Sequence, residues 1–128
     1  MKLNLIKVKD ILLILERSYG HETNTTVANR LVSSLNSSEV YCYLKLLKEI
    51  RAIECLDPSL GFKVSKHDVA IESEQVIEIT FLGRQILECL ANPNLVNKLT
   101  GGAREVGYNR LSTIPTLAIQ AMFNEMGR

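Results

Sequence analysis

The sequence predicts a mainly α-helical fold with a small antiparallel β-sheet, and three observations carry that prediction. Residues 3–18 have apolar side chains at helical spacing, with Leu5, Val8, Leu12 and Leu15 on one stripe and Ile11 and Ile14 widening it. Asn36-Ser37-Ser38-Glu39 is a helix-start signal, because a short polar side chain accepts from the free amides of a first turn and Glu39 suits the positive end of the dipole. The segment 76–90 passes in one step from strand character (Val76, Ile77, Ile79) to helical spacing (Leu82, Ile86, Leu90), with Thr80 and Gly83 at the join. Composition agrees with one globular domain: 46% hydrophobic and 23% charged residues are ordinary values for a packed chain. A chain of 128 residues can bury roughly two-thirds of its unfolded surface. With aromatics at 5% and no Trp, its core must be built from Leu, Ile and Val.

The elements follow in order. The first helix ends near Gly20, and 21–26 reads as a polar loop. Val27, Leu31 and Leu35 have helical spacing, although Leu31-Val32 before Ser33-Ser34 also fits a short strand; helix is preferred. The capped helix runs to about Arg51, with Val40, Leu44, Leu47 and Ile50 or Arg51 on the core side and Tyr41, Lys45 and Lys48 opposite. A strand begins at Ile53, and Asp57-Pro58-Ser59-Leu60-Gly61 is a turn. Phe62, Val64, Val69 and Ile71 are expected to pair with 76–80 as one small sheet. A helix from Phe81 to about Ala91 closes a core of about 3–91. The remainder, 92–128, is expected to add a short helix after Pro93, a stop at Gly101-Gly102 and a last helix from Pro115 with Leu117, Ala118, Ala121, Met122 and Met126 along one face.

Several function classes are disfavoured. Cys42, Cys55 and Cys89 form no C-x-x-C pair, and His21 and His67 stand far from them, so neither a disulfide framework nor a zinc site is expected. Three buried, reduced thiols in a cytoplasmic protein is the expectation. The apolar run at 11–15 is too short to span a bilayer, and no cleavage site follows it. No nucleophile-elbow, zinc-protease, Walker or Rossmann pattern occurs. Gly101-Gly102 reads as a helix stop, and His67-Asp68, adjacent on a strand, point to opposite faces. A non-enzymatic protein without cofactor or metal is therefore expected. The net charge of +1 requires any nucleic-acid binder to gather its lysines on one face.

Helix, helix, capped helix, strand, hairpin, helix is the order of a winged helix-turn-helix unit. The 37–54 segment, S-S-E-V-Y-C-Y-L-K-L-L-K-E-I-R-A-I-E, resembles the recognition helix and following strand of small winged-helix regulators, and 76–90 resembles a wing and exit helix. The tail from Leu95 is similar to that of a family of small bacterial, often prophage-borne, winged-helix proteins without an established activity. In that family a W-N-K-like helix precedes a Gly-rich turn; Leu95-Val96-Asn97-Lys98 takes its place here without the Trp. The resemblance covers the first helix and most of the chain from Leu31 onward, and implies a fold and a mobile-element context.

In a winged helix on double-stranded DNA the capped helix enters the major groove. Ser37, Ser38, Tyr41 and Lys45 are then the candidate contacts on it, with Lys48 on phosphate and Lys63 and Lys66 on the wing. Arg30 and Arg51 are further candidate phosphate contacts, whereas Glu39, Glu72 and Glu74 oppose the reading. The competing reading is a protein-interaction module whose lysines merely solvate an exposed face. Terminal helices commonly cover one another in dimers, so a homodimer through Leu12, Leu117, Ala121, Met122 and Phe123 is expected.

Overall fold

The computed structural model describes residues 2–17, 22–31, 35–92 and 105–107. They form a mixed α+β architecture of four helices with short antiparallel strand pairs. Helix α1 (Leu5–Arg17) starts at Asn4, whose Oδ1 accepts the amides of Ile6 at 2.9 Å and Lys7 at 3.4 Å. All six of its expected apolar positions are buried, Val8, Ile11, Leu12 and Leu15 completely. Each such side chain contributes about 1.5–3 kcal/mol from burial.

Helix α2 (Asn24–Arg30) begins three residues before Val27, inside the stretch expected to be loop. Thr23 is its cap and accepts from the Thr26 amide at 3.3 Å. The polar run hid this start, because a capped first turn needs no apolar residue. Val27, Leu31 and Leu35 are nonetheless all buried, as their spacing predicts.

Helix α3 (Ser37–Glu49) carries a full capping box: Asn36 Oδ1 accepts the Glu39 amide at 2.8 Å and Glu39 Oε1 accepts the Asn36 amide at 3.2 Å. Val40, Leu44 and Leu47 face the core, joined by Tyr43, whose hydroxyl accepts the Asn4 amide at 3.0 Å and ties α3 to the start of α1. The helix stops at Glu49 through a double return, Ala52 N–H to Leu47 O (2.9 Å) and Arg51 N–H to Lys48 O (3.0 Å). Arg51 takes the left-handed position (φ 65°) usually given to glycine and is exposed, so of the two alternatives for the core side it is Ile50 that packs there.

The strands pair differently from expectation. β2 (Ile53–Glu54) lies antiparallel to β5 (Glu78–Ile79) in the register Ile53↔Ile79 and Glu54↔Glu78. On the other side of the β5 segment, Val76 bridges Thr23, and Ile77 N–H donates to Glu22 O at 2.8 Å. Among the described residues, β3 (Phe62–Val64) and β4 (Val69–Ile71) pair only with each other, as a separate hairpin. The 76–80 segment therefore joins the ends of α2 and α3 instead of extending the hairpin, because Ile77 and Ile79 bury in the common core there.

Helix α4 (Phe81–Leu90) starts at Thr80, as the T-x-x-G pattern indicates. Thr80 Oγ1 accepts the Gly83 amide at 3.1 Å and donates to Arg51 O at 2.6 Å. A Cβ on Gly83 would overlap the Ala52 carbonyl oxygen, so glycine lets α4 sit directly on the turn after α3. Ile86, Leu87 and Leu90 are buried, α4 packs chiefly against α1, and the buried cluster runs from Leu5 to Leu90. One pairing had no forerunner in the sequence: β1 (Lys2–Asn4) lies antiparallel to β6 (Glu105–Gly107). The expected helices after Pro93 and from Pro115 lie outside the described residues.

Candidate nucleic-acid interface

The outward ridge of α3 is formed by Ser38, Cys42, Lys45 and Glu49, at the four-residue and three-residue steps that share a helix face. Ser37, Ser38 and Lys45 are exposed, as anticipated. Tyr41 is not free: it is half-buried and stacks on Phe62 of the hairpin, with ring centroids 5.4 Å apart and planes 17° from parallel. Its position on the flank of α3 makes it a strut between helix and hairpin. Lys48 is also half-buried, and its Nζ donates to the Asp57 backbone carbonyl at 3.4 Å, so part of its hydrogen-bonding capacity goes to the turn.

The hairpin tip is closed by Ser65, which donates from its amide (2.8 Å) and its hydroxyl (3.1 Å) to Asp68 O, while the Asp68 carboxylate accepts the Val69 amide at 2.8 Å. This leaves Lys66 and His67 exposed at the apex, with Lys63 exposed lower on β3. Tip and helix start meet. A cleft of about 520 Å³ lies between Asn36, Ser37 and Ser38 on one wall and Ser65, Lys66, His67, Asp68 and Val69 on the other. Three of the anticipated contacts, Ser37, Ser38 and Lys66, thus share one site. His67 joins them from the hairpin tip, not from a strand as its pairing with Asp68 was read.

The positive field of this face is interrupted. Glu39 places a carboxylate at the helix start, where it is held by the capping box, and Glu49 shares the ridge with Lys45. Asp68, Glu72 and Glu74 are exposed on and beside the hairpin.

A second cleft, about 510 Å³, lies over the outer face of the β2–β5 pair and includes Lys48, Arg51, Glu54, Leu56, Val76 and Glu78. Leu56 is fully exposed and Val76 about half exposed (48%). Sequence reading missed this face, since an apolar residue in a short strand reads as core. Leu12, named for a dimer surface, is completely buried in its own chain and cannot serve there. Leu117, Ala121, Met122 and Phe123 lie outside the described residues. The three cysteines are free and half-buried rather than buried, and burial with the neighbouring Glu88 raises the Cys89 thiol pKa. Among the described residues, no three His, Cys, Asp or Glu side chains gather to hold a metal ion, and no helix is long and apolar enough to cross a membrane. Comparison of the chain with protein-family models, curated proteins and solved structures finds no match.

Proposed function

We propose that this protein is a winged helix-turn-helix DNA-binding regulator, cytoplasmic and homodimeric, with α3 as the recognition helix and the β3–β4 hairpin as the wing. The connectivity supports the fold: α1, a bridge at Thr23, α2, α3, β2, a hairpin, β5 and α4, with the β5 segment between Thr23 and β2. The observation that carries the functional reading is the cleft bringing Ser37 and Ser38 together with Lys66 and His67. Hydroxyls at a helix start and a cation on the facing tip match a phosphate run entering a groove. Lys45 then points along the groove floor. The mobile-element context rests on the sequence resemblance alone, and dimerisation on the C-terminal segment, for which sedimentation mass is the measurement.

Among the described residues, Lys45, Lys63 and Lys66 are the exposed lysines of this face, so binding has a shallow salt dependence. Three phosphate contacts predict a slope of log K on log salt near −2.7, or roughly 40-fold weakening from 50 to 200 mM. Fluorescence anisotropy with mixed-sequence duplex measures it. Absence of binding at 50 mM salt removes the reading.

A second reading, a winged helix used as a protein adaptor, is favoured by one observation. Leu56 and Val76 expose an apolar face on β2–β5, while acidic residues break the basic surface of α3 and the hairpin. Leu56→Ser separates the two: it leaves DNA affinity unchanged in the first reading and abolishes partner capture in the second.

A further inference from the structure

Asn24 is polar yet fully buried. Its Nδ2 donates to Leu60 O at 2.7 Å and to Ser73 O at 2.9 Å, while its Oδ1 accepts the amides of Thr25 at 2.8 Å and Gln75 at 3.1 Å. Leu60 lies just before β3 and Ser73 just after β4, so a single side chain grips both legs of the hairpin at its base. Between them, Gly61 is left-handed (φ 77°), and its carbonyl accepts the amides of Glu72 at 2.8 Å and Ser73 at 3.1 Å. A Cβ on Gly61 would overlap both Ser73 O and Asn24 Nδ2.

Asparagine is the side chain this site requires. Two diverging donors and an acceptor with two lone pairs are needed on a short stem. Asp lacks the donors, Gln is longer and Ser has one hydroxyl. A two-stranded hairpin of this length is marginal by itself in water, so what fixes its base decides where its tip lies. Asn24 is also the first residue of α2, which packs against α3.

We propose that Asn24 is the positioning residue that sets the hairpin tip against the start of α3. Its importance for binding rests on the DNA reading of that cleft.

The test uses the full chain with Asn24→Asp, which keeps the acceptor and removes both donors. Orphaning the two carbonyls is expected to speed amide exchange across the hairpin base about 10- to 100-fold, with α1 and α3 unchanged. Duplex binding supplies a readout that general loosening would not move. Replacing Lys63 and Lys66 by Ala weakens the wild type about tenfold but the Asn24→Asp background less than twofold, because a misplaced tip has no contact left to lose. Where Asn24→Asp does not fold, exchange in the wild type decides: the amides of Thr25, Glu72, Ser73 and Gln75 open as one unit. Unchanged hairpin exchange in the variant, independent opening of those amides, or additive lysine effects overturn the proposal. A loosened hairpin in a protein whose wild type binds no DNA supports the positioning role and sinks the DNA reading alone.

Discussion

Two junctions in this molecule use the same pair of parts, one polar side chain and one glycine, at very different range. At the first, Thr80 caps α4 through the Gly83 amide, and Gly83 lets that helix touch the Ala52 carbonyl. At the second, Asn24 and Gly61 fasten the hairpin base to α2. The first starts locally, since its capping bond spans three residues, and the bonds from Thr80 to Arg51 O and Ala52 O and the Gly83 contact with Ala52 then seat that start on the turn after α3. The second is entirely non-local on its donor side, with partners 36 and 49 positions away. The lesson is that a local junction gives its helix an intrinsic start, whereas the distant one has no meaning until the chain has closed around it. Closing such loops costs entropy that only the finished contacts offset.

Gly61→Ala separates the two junctions by the largest effect. The new methyl meets backbone at a left-handed position, combining overpacking with conformational strain, so a loss of about 3–5 kcal/mol is expected in denaturant melts. A loss below about 1 kcal/mol would show that the hairpin base yields freely. Thr80→Ala comes next, at about 1–2 kcal/mol, for an N-cap whose loss also leaves Arg51 O without its donor. If Thr80→Ala proved the more damaging of the two, the ranking of long-range over local junctions would be reversed.

The smallest effect belongs to the turn beside the second junction. The Asp57 carboxylate accepts the Ser59 amide and hydroxyl, both at 3.0 Å, and the Gly61 amide at 3.1 Å. Chiefly through the Ser59 amide, then its hydroxyl, these bonds hold the carboxyl below its ordinary range; desolvation opposes them, and the Gly61 amide and the Lys48 charge add less. A depressed pKa stabilises the fold above the unfolded value, about 3.9, and that support is lost as pH falls through the lower folded value. Wild type should therefore exceed Asp57→Asn in melting temperature at pH 6 and converge with it near pH 2. A difference that persists at pH 2 would mean that the turn does not depend on the charge.

Much of the helical framework was legible because its signals are short-range. The α1 stripe, the Asn36–Glu39 cap and the Thr80-x-x-Gly83 start each lie within a few residues, and all three stand where they were read. The start of α2 escaped because Thr23 caps a turn whose residues are all polar, so periodicity had nothing to register. For the candidate interface, residue type and helical phase located Ser37, Ser38, Lys45, Lys63 and Lys66 on exposed surface. They did not reveal that Tyr41 stacks on Phe62, that Lys48 leans on Asp57, or that Leu12 is wholly internal.

The order of residues along the chain was enough to place the starts of α3 and α4, the apolar faces of α1 and α3, and the side chains that carry charge, whereas α1, expected from residue 3, begins at Leu5 after a strand. Those properties follow from spacing along the chain and from hydrogen bonds that close within one turn. Only the tertiary structure decided which strand pairs with which, how the hairpin tip meets α3, and that residues 2–4 and 105–107 lie side by side. Strand pairing and buried polar clips join positions far apart, and their partners are selected by how the whole core packs rather than by any local preference.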